Sequence, residues 1–284
     1  MDIDQARTFL AIAAHGSFLE AAKRLHVTQS TVSARIQNLE SELGARLFVR
    51  NRAGATLTAA GQRFLQHAKS LVLTVEQARH DVGLPSRFRA TIRIGGRIAL
   101  WEDFLPSWVG WMRQVAPDVS IRSEIGFEED LMRRLIEGTL DIGLMYTPSH
   151  APGLVVEHLF DETLVMVSTR PDTRWPGDDY IYVEWGPGFY AKHRESYPDL
   201  ERPPQVVNIG WLGIQLILAN GGSCFLPIRM ARSLIQEGRL FQVTAAPEFP
   251  HPAYMVFPRE ADSEVLQQAV HGLRELAQRE QEQS

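Results

Sequence analysis

The chain has 284 residues, 44% hydrophobic and 22% charged, which excludes a disordered or collagen-like polypeptide and leaves room for one large domain or two to three small ones. No stretch approaches the roughly 20 apolar residues of a membrane span. The opening Met1-Asp2-Ile3-Asp4-Gln5 is acidic where a secretory leader is basic, so the expected compartment is the cytosol. A single cysteine, Cys224, excludes an internal disulfide framework and a Cys-rich zinc site. The net charge of −5 is unevenly spread: residues 1–90 carry 12 Lys/Arg against 7 Asp/Glu, whereas residues 91–284 carry 17 against 27. A basic head on an acidic body suggests that the head meets a polyanion.

The first predicted helix runs from Asp4 to about His15, with Ala6, Phe9, Leu10 and Ala13 on one face and Gly16 as its stop. Ser17 and Glu20 form a capping-box pattern for a short second helix carrying Ala21, Ala22 and Leu25. Thr28 caps a third, Gln29 to about Leu43, whose Val32, Ile36, Leu39 and Leu43 face inward. The opposite arc holds Ser30, Ser33, Ala34 and Gln37, flanked by Gln29 and Arg35. Small side chains let a helix sink into the major groove, Gln pairs with adenine edges, and Arg pairs with guanine or phosphate. The acids of this helix, Glu40 and Glu42, sit at its far end. Residues 47–57 then give two short extended arms around Asn51 to Gly54, with Arg50 and Arg52 at the turn. That is the pattern of a β-wing reaching phosphate or the minor groove; the alternative is a plain surface hairpin.

Phe9 through Leu57 resembles the DNA-binding domain of LysR-type transcriptional regulators. The resemblance is carried by Phe18-x-x-Ala21-Ala22-x-x-Leu25, Val27-Thr28-Gln29-Ser30-x-Val32-Ser33, Ile36-x-x-Leu39-Glu40, Leu43-Gly44, Leu47-Phe48-x-Arg50 and Leu57-Thr58-x-Ala60-Gly61. It implies DNA contacts by Thr28, Gln29, Ser30, Ser33, Arg35, Gln37, Arg50 and Arg52. Ala34 and Gln37 depart from the basic residues common in the family.

Thr58 caps a long predicted helix to about Val82, stopped by Gly83 and Pro85. Ala60, Phe64, Ala68, Leu71, Val75, Ala78 and Val82 form a heptad seam. The seam is expected to pair two chains through Phe64, Ala68, Leu71, Val75 and Ala78; packing onto the chain's own body is the alternative. In the family this helix is the dimerisation arm. Leu84 to Arg89 is the expected hinge.

From residue 91 strands alternate with helices, the signature of a parallel α/β sheet. Thr91–Gly95, Val119–Arg122, Leu140–Met145, Leu164–Val167 and Tyr254–Phe257 read as strands. Phe104 to Val115, Glu129 to Glu137, Gly210 to Leu218, Ile228 to Gln236 and Ser263 to Arg279 read as helices, with a polar tail from Glu280. This order is similar to the LysR effector domain, carried by Ile94-Gly95, Pro106, Pro117-Asp118-Val119, Leu131, Leu135-x-x-Gly138-x-Leu140-Asp141 and Leu226-Pro227. Other segments (Leu100-Trp101-Glu102-x-Phe104-Leu105, Glu184-Trp185-Gly186-Pro187-x-Phe189 and Asn220-Gly221-x-x-x-x-Leu226-Pro227) resemble one subgroup, the enterobacterial repressors of the flagellar master operon.

The expected architecture is therefore α plus α/β. A winged helix-turn-helix (1–58) is followed by a linker helix and hinge (59–90). A two-lobed, periplasmic-binding-protein-like effector domain (91–284) completes the chain, with lobes 91–162 plus 260–284 and 163–259. The resemblance places a small-molecule effector between the lobes, by loops here occupied by Arg97, Ile98, Ala99 and Leu100, by Phe127 and Glu128, and by Tyr146 and Thr147 facing Trp185, Gly186 and Phe189. An aromatic wall with one Arg and one Glu suits a larger or zwitterionic ligand. The alternative is an Arg97–Glu128 surface pair over an empty cleft. Cys224, flanked by Ser223 and Phe225 with no adjacent cation, reads as an inert buried thiol.

The resemblance implies double-stranded DNA, a small-molecule effector and further copies of the chain (homodimer or homotetramer) as partners, with RNA polymerase as another candidate. No nucleophile elbow, dinucleotide loop, phosphate loop or metal-spaced histidine pair is present, so neither a cofactor nor catalysis is expected. A free solute-binding protein and a DNA-coating protein are the rival readings.

Overall fold

The computed structural model describes residues 1–51, 54–83, 85–171, 177–200, 203, 205–259 and 263–283. Two units separate, Met1–Pro85 and Ser86–Ser284, so the long helix belongs with the head. Among the described residues no helix is long and apolar enough to cross a membrane.

The head opens with α1 (Ile3–His15), α2 (Phe18–Leu25) and α3 (Gln29–Leu43). A capping box starts α1: the Asp2 carboxylate accepts from the Gln5 amide at 2.7 Å, and the Gln5 side chain accepts from the Asp2 amide at 2.8 Å. The Ser17–Glu20 pattern delivers only half of its expected box. Ser17 Oγ accepts from the Glu20 amide, but the Glu20 carboxylate takes Lys23 Nζ at 2.7 Å. His26, at φ 53, ends α2 in the left-handed region, and Thr28 Oγ1 caps α3 by accepting from the Thr31 amide.

Ala6, Phe9, Ile12, Ala21, Val32, Ile36 and Leu39 fill the head core. Leu43 does not join it: at the last turn it is 42% exposed. The strands β1 (Phe48–Asn51) and β2 (Gly54–Leu57) pair antiparallel, with Arg50 opposite Ala55. The Ala55 amide donates to the Gly16 carbonyl at 2.7 Å. Gly54 has φ 132, and a Cβ there would lie 2.4 Å from that same carbonyl oxygen, so only glycine lets the wing dock on the α1–α2 turn. Glu40 holds the other end, accepting from the Leu47 and Phe48 amides.

The helix α4 (Ala59–Val82) starts at Thr58, whose hydroxyl accepts from the Gly61 amide and donates to the Arg46 carbonyl. Here the structure corrects the sequence reading. Phe64 and Ala68 are buried in the head's own core, and Phe64 meets Phe9 edge-on with centroids 5.0 Å apart. The α1 helix lies along α4, and Arg7 pairs with Glu76. The first half of the seam is thus spent inside the chain, where α1 offers it an adjacent apolar face. Leu71, Val75, Ala78 and Val82 remain uncovered to different degrees, Val82 at 89% exposure.

The second unit is built on one mixed sheet. Its strands are β3 (Ala90–Gly96), β4 (Val119–Ile125), β5 (Ile142–Met145), β6 (Leu154–Ser168), β9 (Ser223–Pro227), β10 (Phe241–Gln242) and β11 (Phe249–Pro258), in the order β10-β6-β11-β5-β3-β4 with β9 also on β6. A small parallel pair, β7 (Ile181–Val183) and β8 (Gln205–Val207), forms a separate sheet beside β9, linked to it by a Tyr180–Ser223 bridge. The helices are α5 (Ile98–Trp101), α6 (Phe104–Val115), α7 (Glu128–Ile136), α8 (Pro187–Ser196), α9 (Gly210–Asn220), α10 (Ile228–Gln236) and α11 (Glu264–Gln283).

The strand β3 runs parallel to β4 and β5, as expected. The long antiparallel β6 and β11 carry the chain from the β5 side to the β9 side, with a register shift at Ala253/Tyr254. The lobes therefore share two continuous strands. Residues 254–256 of β11, expected in the second lobe, pair with β5 of the first. The polar run from Glu280 continues α11 to Gln283, and the hinge residue Leu84 lies outside the described residues.

Phe64→Ala is expected to cost the head about 3–5 kcal/mol, read as a shift in the urea midpoint. Leu71→Ala, on the uncovered part of α4, is expected to change the stability of the unpaired chain by less than about 0.5 kcal/mol. Equal losses would contradict this division of the helix.

Candidate nucleic-acid interface and effector cleft

Burying Val32, Ile36 and Leu39 turns the opposite arc of α3 outward. Gln29, Ser30, Ala34 and Gln37 are exposed and Ser33 is half-buried. Thr28 is exposed, but its hydroxyl is engaged in the cap and lies 2.8 Å from Ser30 Oγ. Arg35 is tied inward: its Nη2 meets Asp4 Oδ2 at 2.7 Å and its Nη1 reaches Thr8 Oγ1 at 3.4 Å. It braces α3 against α1 through a partly exposed pair worth at most about 1 kcal/mol. Arg50 is placed by its backbone in β1, and Arg52 lies outside the described residues. The presented surface is a short row of amide and hydroxyl groups, free of carboxylates over its first two turns.

The cleft loops sit at the ends of β3, β4 and β5. Arg97, which precedes α5, places its guanidinium 4.5 Å above the Phe127 ring, and its Nε lies 3.4 Å from Glu128 Oε1. The three residues form one stacked, ion-paired edge. Arg97 is largely buried and Phe127 is 46% exposed. Ala99 and Leu100 are buried and offer only backbone.

Across from them, Tyr146 and Trp185 meet edge-on at 6.4 Å, and a Cβ on Gly186 would lie 3.5 Å from Thr147 Cγ2. The two walls thus approach closely. Trp185 is locked by its Nε1 donating to the Phe225 carbonyl at 2.8 Å, and Gly210 makes room for its ring. Phe189 faces away, into the rings of Phe225 and Phe249 in the second lobe's core. The helix α8 that carries it was not foreseen.

Three residues central to this region gave no motif in the sequence: Glu162, Arg229 and His251. Tyr146 donates its hydroxyl proton to Glu162 Oε2 at 2.6 Å. Arg229 Nε donates to Glu162 Oε1 at 2.9 Å, and its Nη2 donates to the Ala99 carbonyl at 3.0 Å. All three side chains are buried. Arg229, at the start of α10 in the second lobe, is therefore bound to a carbonyl of the first. Burial pushes the Glu162 carboxyl upward while Arg229 pulls it down, and burial beside that carboxylate raises the Tyr146 phenol. In the sequence Glu162 is one of three acids in β6, beside Glu157 and Asp161, and nothing local sets it apart.

His251 stacks on Tyr146 at 3.9 Å and meets Trp185 at 5.4 Å. Its Nε2 is buried without a hydrogen-bond partner among the described residues. Burial first, then the charge of Arg97, hold its pKa down to about 3. Cys224 is buried in β9, and burial pushes its thiol upward, as an inert core residue requires. Among the described residues no group of three or more His, Cys, Asp or Glu side chains is placed to hold a metal ion.

His251 fixes a pH dependence. A histidine held below its ordinary value of about 6.5 binds its proton more weakly folded than unfolded. Its share of stability is complete above pH 6.5 and is lost as pH falls toward 3, by at most about 1.4 kcal/mol per pH unit. Urea unfolding at pH 7, 6, 5 and 4 should show a shallower decline for His251→Gln than for the wild type. Parallel curves would contradict the assignment.

Residues 3–62 match the family described as bacterial regulatory helix-turn-helix protein, lysR family, and residues 85–278 match the LysR substrate binding domain. The HTH-type transcriptional regulator HdfR of Escherichia coli O45:K1 (strain S88 / ExPEC) is 31% identical over 270 residues, covering 94% of this chain and 95% of that protein. The Escherichia fergusonii protein of the same name is 30% identical over the same shares. The crystal structure of CbnR, a LysR family transcriptional regulator, superposes with a TM-score of 0.70 at 20% identity over 98% of this chain and 99% of that one. CbnR complexed with its target DNA gives the same score over 97% and 100%. At that identity the likeness shows the fold. The two matched family domains together with the HdfR relatives show that the chain belongs to the LysR family of DNA-binding transcriptional regulators with an effector-binding domain.

Proposed function

We propose that the chain binds a partly palindromic operator as a homodimer and that a small molecule held between its lobes resets the spacing of the two heads. The observation that carries this reading is the locked orientation of α3, which turns Gln29, Ser30, Ser33, Ala34 and Gln37 outward. Such a row fits the major groove, with base edges read by the amides and hydroxyls. Thr28 and the wing arginines Arg50 and Arg52 are assigned to the backbone and the adjacent minor groove. Arg35 supports α3 through Asp4 and contacts DNA only if it leaves that partner.

The second half of α4 is the surface for pairing chains, through Leu71, Val75, Ala78 and Val82. Pairing of dimers into tetramers and contact with RNA polymerase are consistent with this arrangement. The site of action is the cytosol, where the DNA is. The chain works by binding and not by catalysis. HdfR and CbnR are named as transcriptional regulators, and CbnR has been seen on its target DNA.

The effector is assigned to the edge formed by Arg97, Phe127 and Glu128, with the backbone of Ile98, Ala99 and Leu100 behind it and Tyr146, Thr147, Trp185 and Gly186 opposite. A guanidinium over an aromatic ring, with a carboxylate beside it, suits a ligand carrying both charges. A cleft that works empty, through oligomer contacts, is the second reading. It is favoured by the bridge from Arg229 to Ala99, which already joins the two walls.

Two measurements on a selected operator test the DNA assignments. Arg50→Ala should weaken binding to all sequences and reduce the slope of log affinity against log salt by about one; an unchanged slope removes the phosphate role. Gln37→Ala should instead change which base pair is preferred at one position, by about 1–3 kcal/mol. Uniform weakening across sequences would remove α3 from the groove.

A further inference from the structure

A cavity of about 800 Å³ opens in the second lobe between α8 and the β7–β8 pair. Its volume lies in the range of small-molecule sites. Its walls include the rings of Tyr182, Tyr190 and Tyr197, with His193 among them. His193 is held in place by stacking on Tyr180, whose hydroxyl lies 3.0 Å from its Nε2. Burial keeps the His193 pKa down at about 4, so this ring is uncharged at neutral pH.

Two charged side chains stand in the same lining, Glu184 and Arg194. They form no ion pair with each other among the described residues. Arg194 is anchored by its Nη1 donating to the Tyr190 hydroxyl at 3.2 Å, with its guanidinium 6.0 Å from that ring's centre. The cavity thus offers aromatic faces, one anchored cation and one carboxylate.

We propose that this cavity binds a planar aromatic compound of zero net charge carrying both an acidic and a basic group, an aromatic amino acid being the simplest. The ring lies against the tyrosines, the acid meets Arg194 and the amine meets Glu184. This site is separate from the effector edge at Arg97. It shares one segment with the cleft, because Gly186 and Pro187 line the cavity while Trp185 faces His251 in the cleft. An occupant therefore braces the cleft's second wall from behind.

The test is isothermal titration of the full-length protein with L-tryptophan and, separately, with indole, which has the ring but neither charge. L-tryptophan is expected to bind saturably, one per chain, and more tightly than indole. Tyr190→Ala and Val206→Glu are both at exposed positions of the lining and should weaken binding at least tenfold. Glu184→Gln or Arg194→Ala should narrow the gap between the two probes. Arg97→Ala should leave binding unchanged, which separates this cavity from the cleft. The proposal is overturned if neither probe binds, if Tyr190→Ala and Val206→Glu bind as the wild type does, or if Arg97→Ala abolishes the signal.

Discussion

The inner face of α3 carries Val32, Ile36 and Leu39, and each is essentially removed from water. Rotating the helix would expose three aliphatic side chains at about 2 kcal/mol each and bury amides and hydroxyls without partners, so the outer face is fixed. In the same core the Phe9 ring touches those of both Phe48 and Phe64, which brings α1, the wing and α4 to one point. The helix α3, the strand β1 and the first half of α4 are thereby positioned by one cluster. DNA recognition in this chain rests on that packing before it rests on any polar contact.

The effector domain is organised differently. Its two lobes share β6 and β11, so neither folds around a closed core of its own, and the cleft lies where these strands cross. Ion-paired charges are buried at that crossing. A buried pair such as Arg229–Glu162 gains little net stability over an apolar replacement. Its geometry, with one arm on β6 and another on the Ala99 carbonyl, is that of a spacer setting the distance between walls. The adjoining rings of Tyr146, His251 and Trp185 pack against one another beside it.

How much was legible follows from which forces are local. The helices α3, α6 and α10 match the sequence reading to the residue, because 3.6-residue periodicity, with the Thr28 cap for α3, is written within a dozen positions. The α4 seam was visible, but its partner was not: periodicity shows that Phe64 and Ala68 are buried, not whether α1 or another chain buries them. The Asp2–Gln5 box precedes the apolar period that marks α1, so periodicity alone does not reveal it. The length of β6, the helix α8 and the pair β7–β8 carry no clean period in the sequence: β6 is interrupted by polar residues, β7 and β8 have three residues each, and α8 buries only Phe189 and His193. Arg97 and Glu128 came into view through the family's loop positions. Glu162, Arg229 and His251 stayed invisible because they are joined only by tertiary structure, across up to 89 residues of chain.

The most direct test of the central claim is selection of bound fragments from the whole genome with the purified full-length protein at two salt concentrations. A locked, base-reading α3 on a paired arm predicts a small set of sites that survives the higher salt, each with two half-sites related by a two-fold axis and separated by a whole number of helical turns. Uniform recovery that collapses at the higher salt would mean that the head binds only the phosphate backbone and would contradict the account.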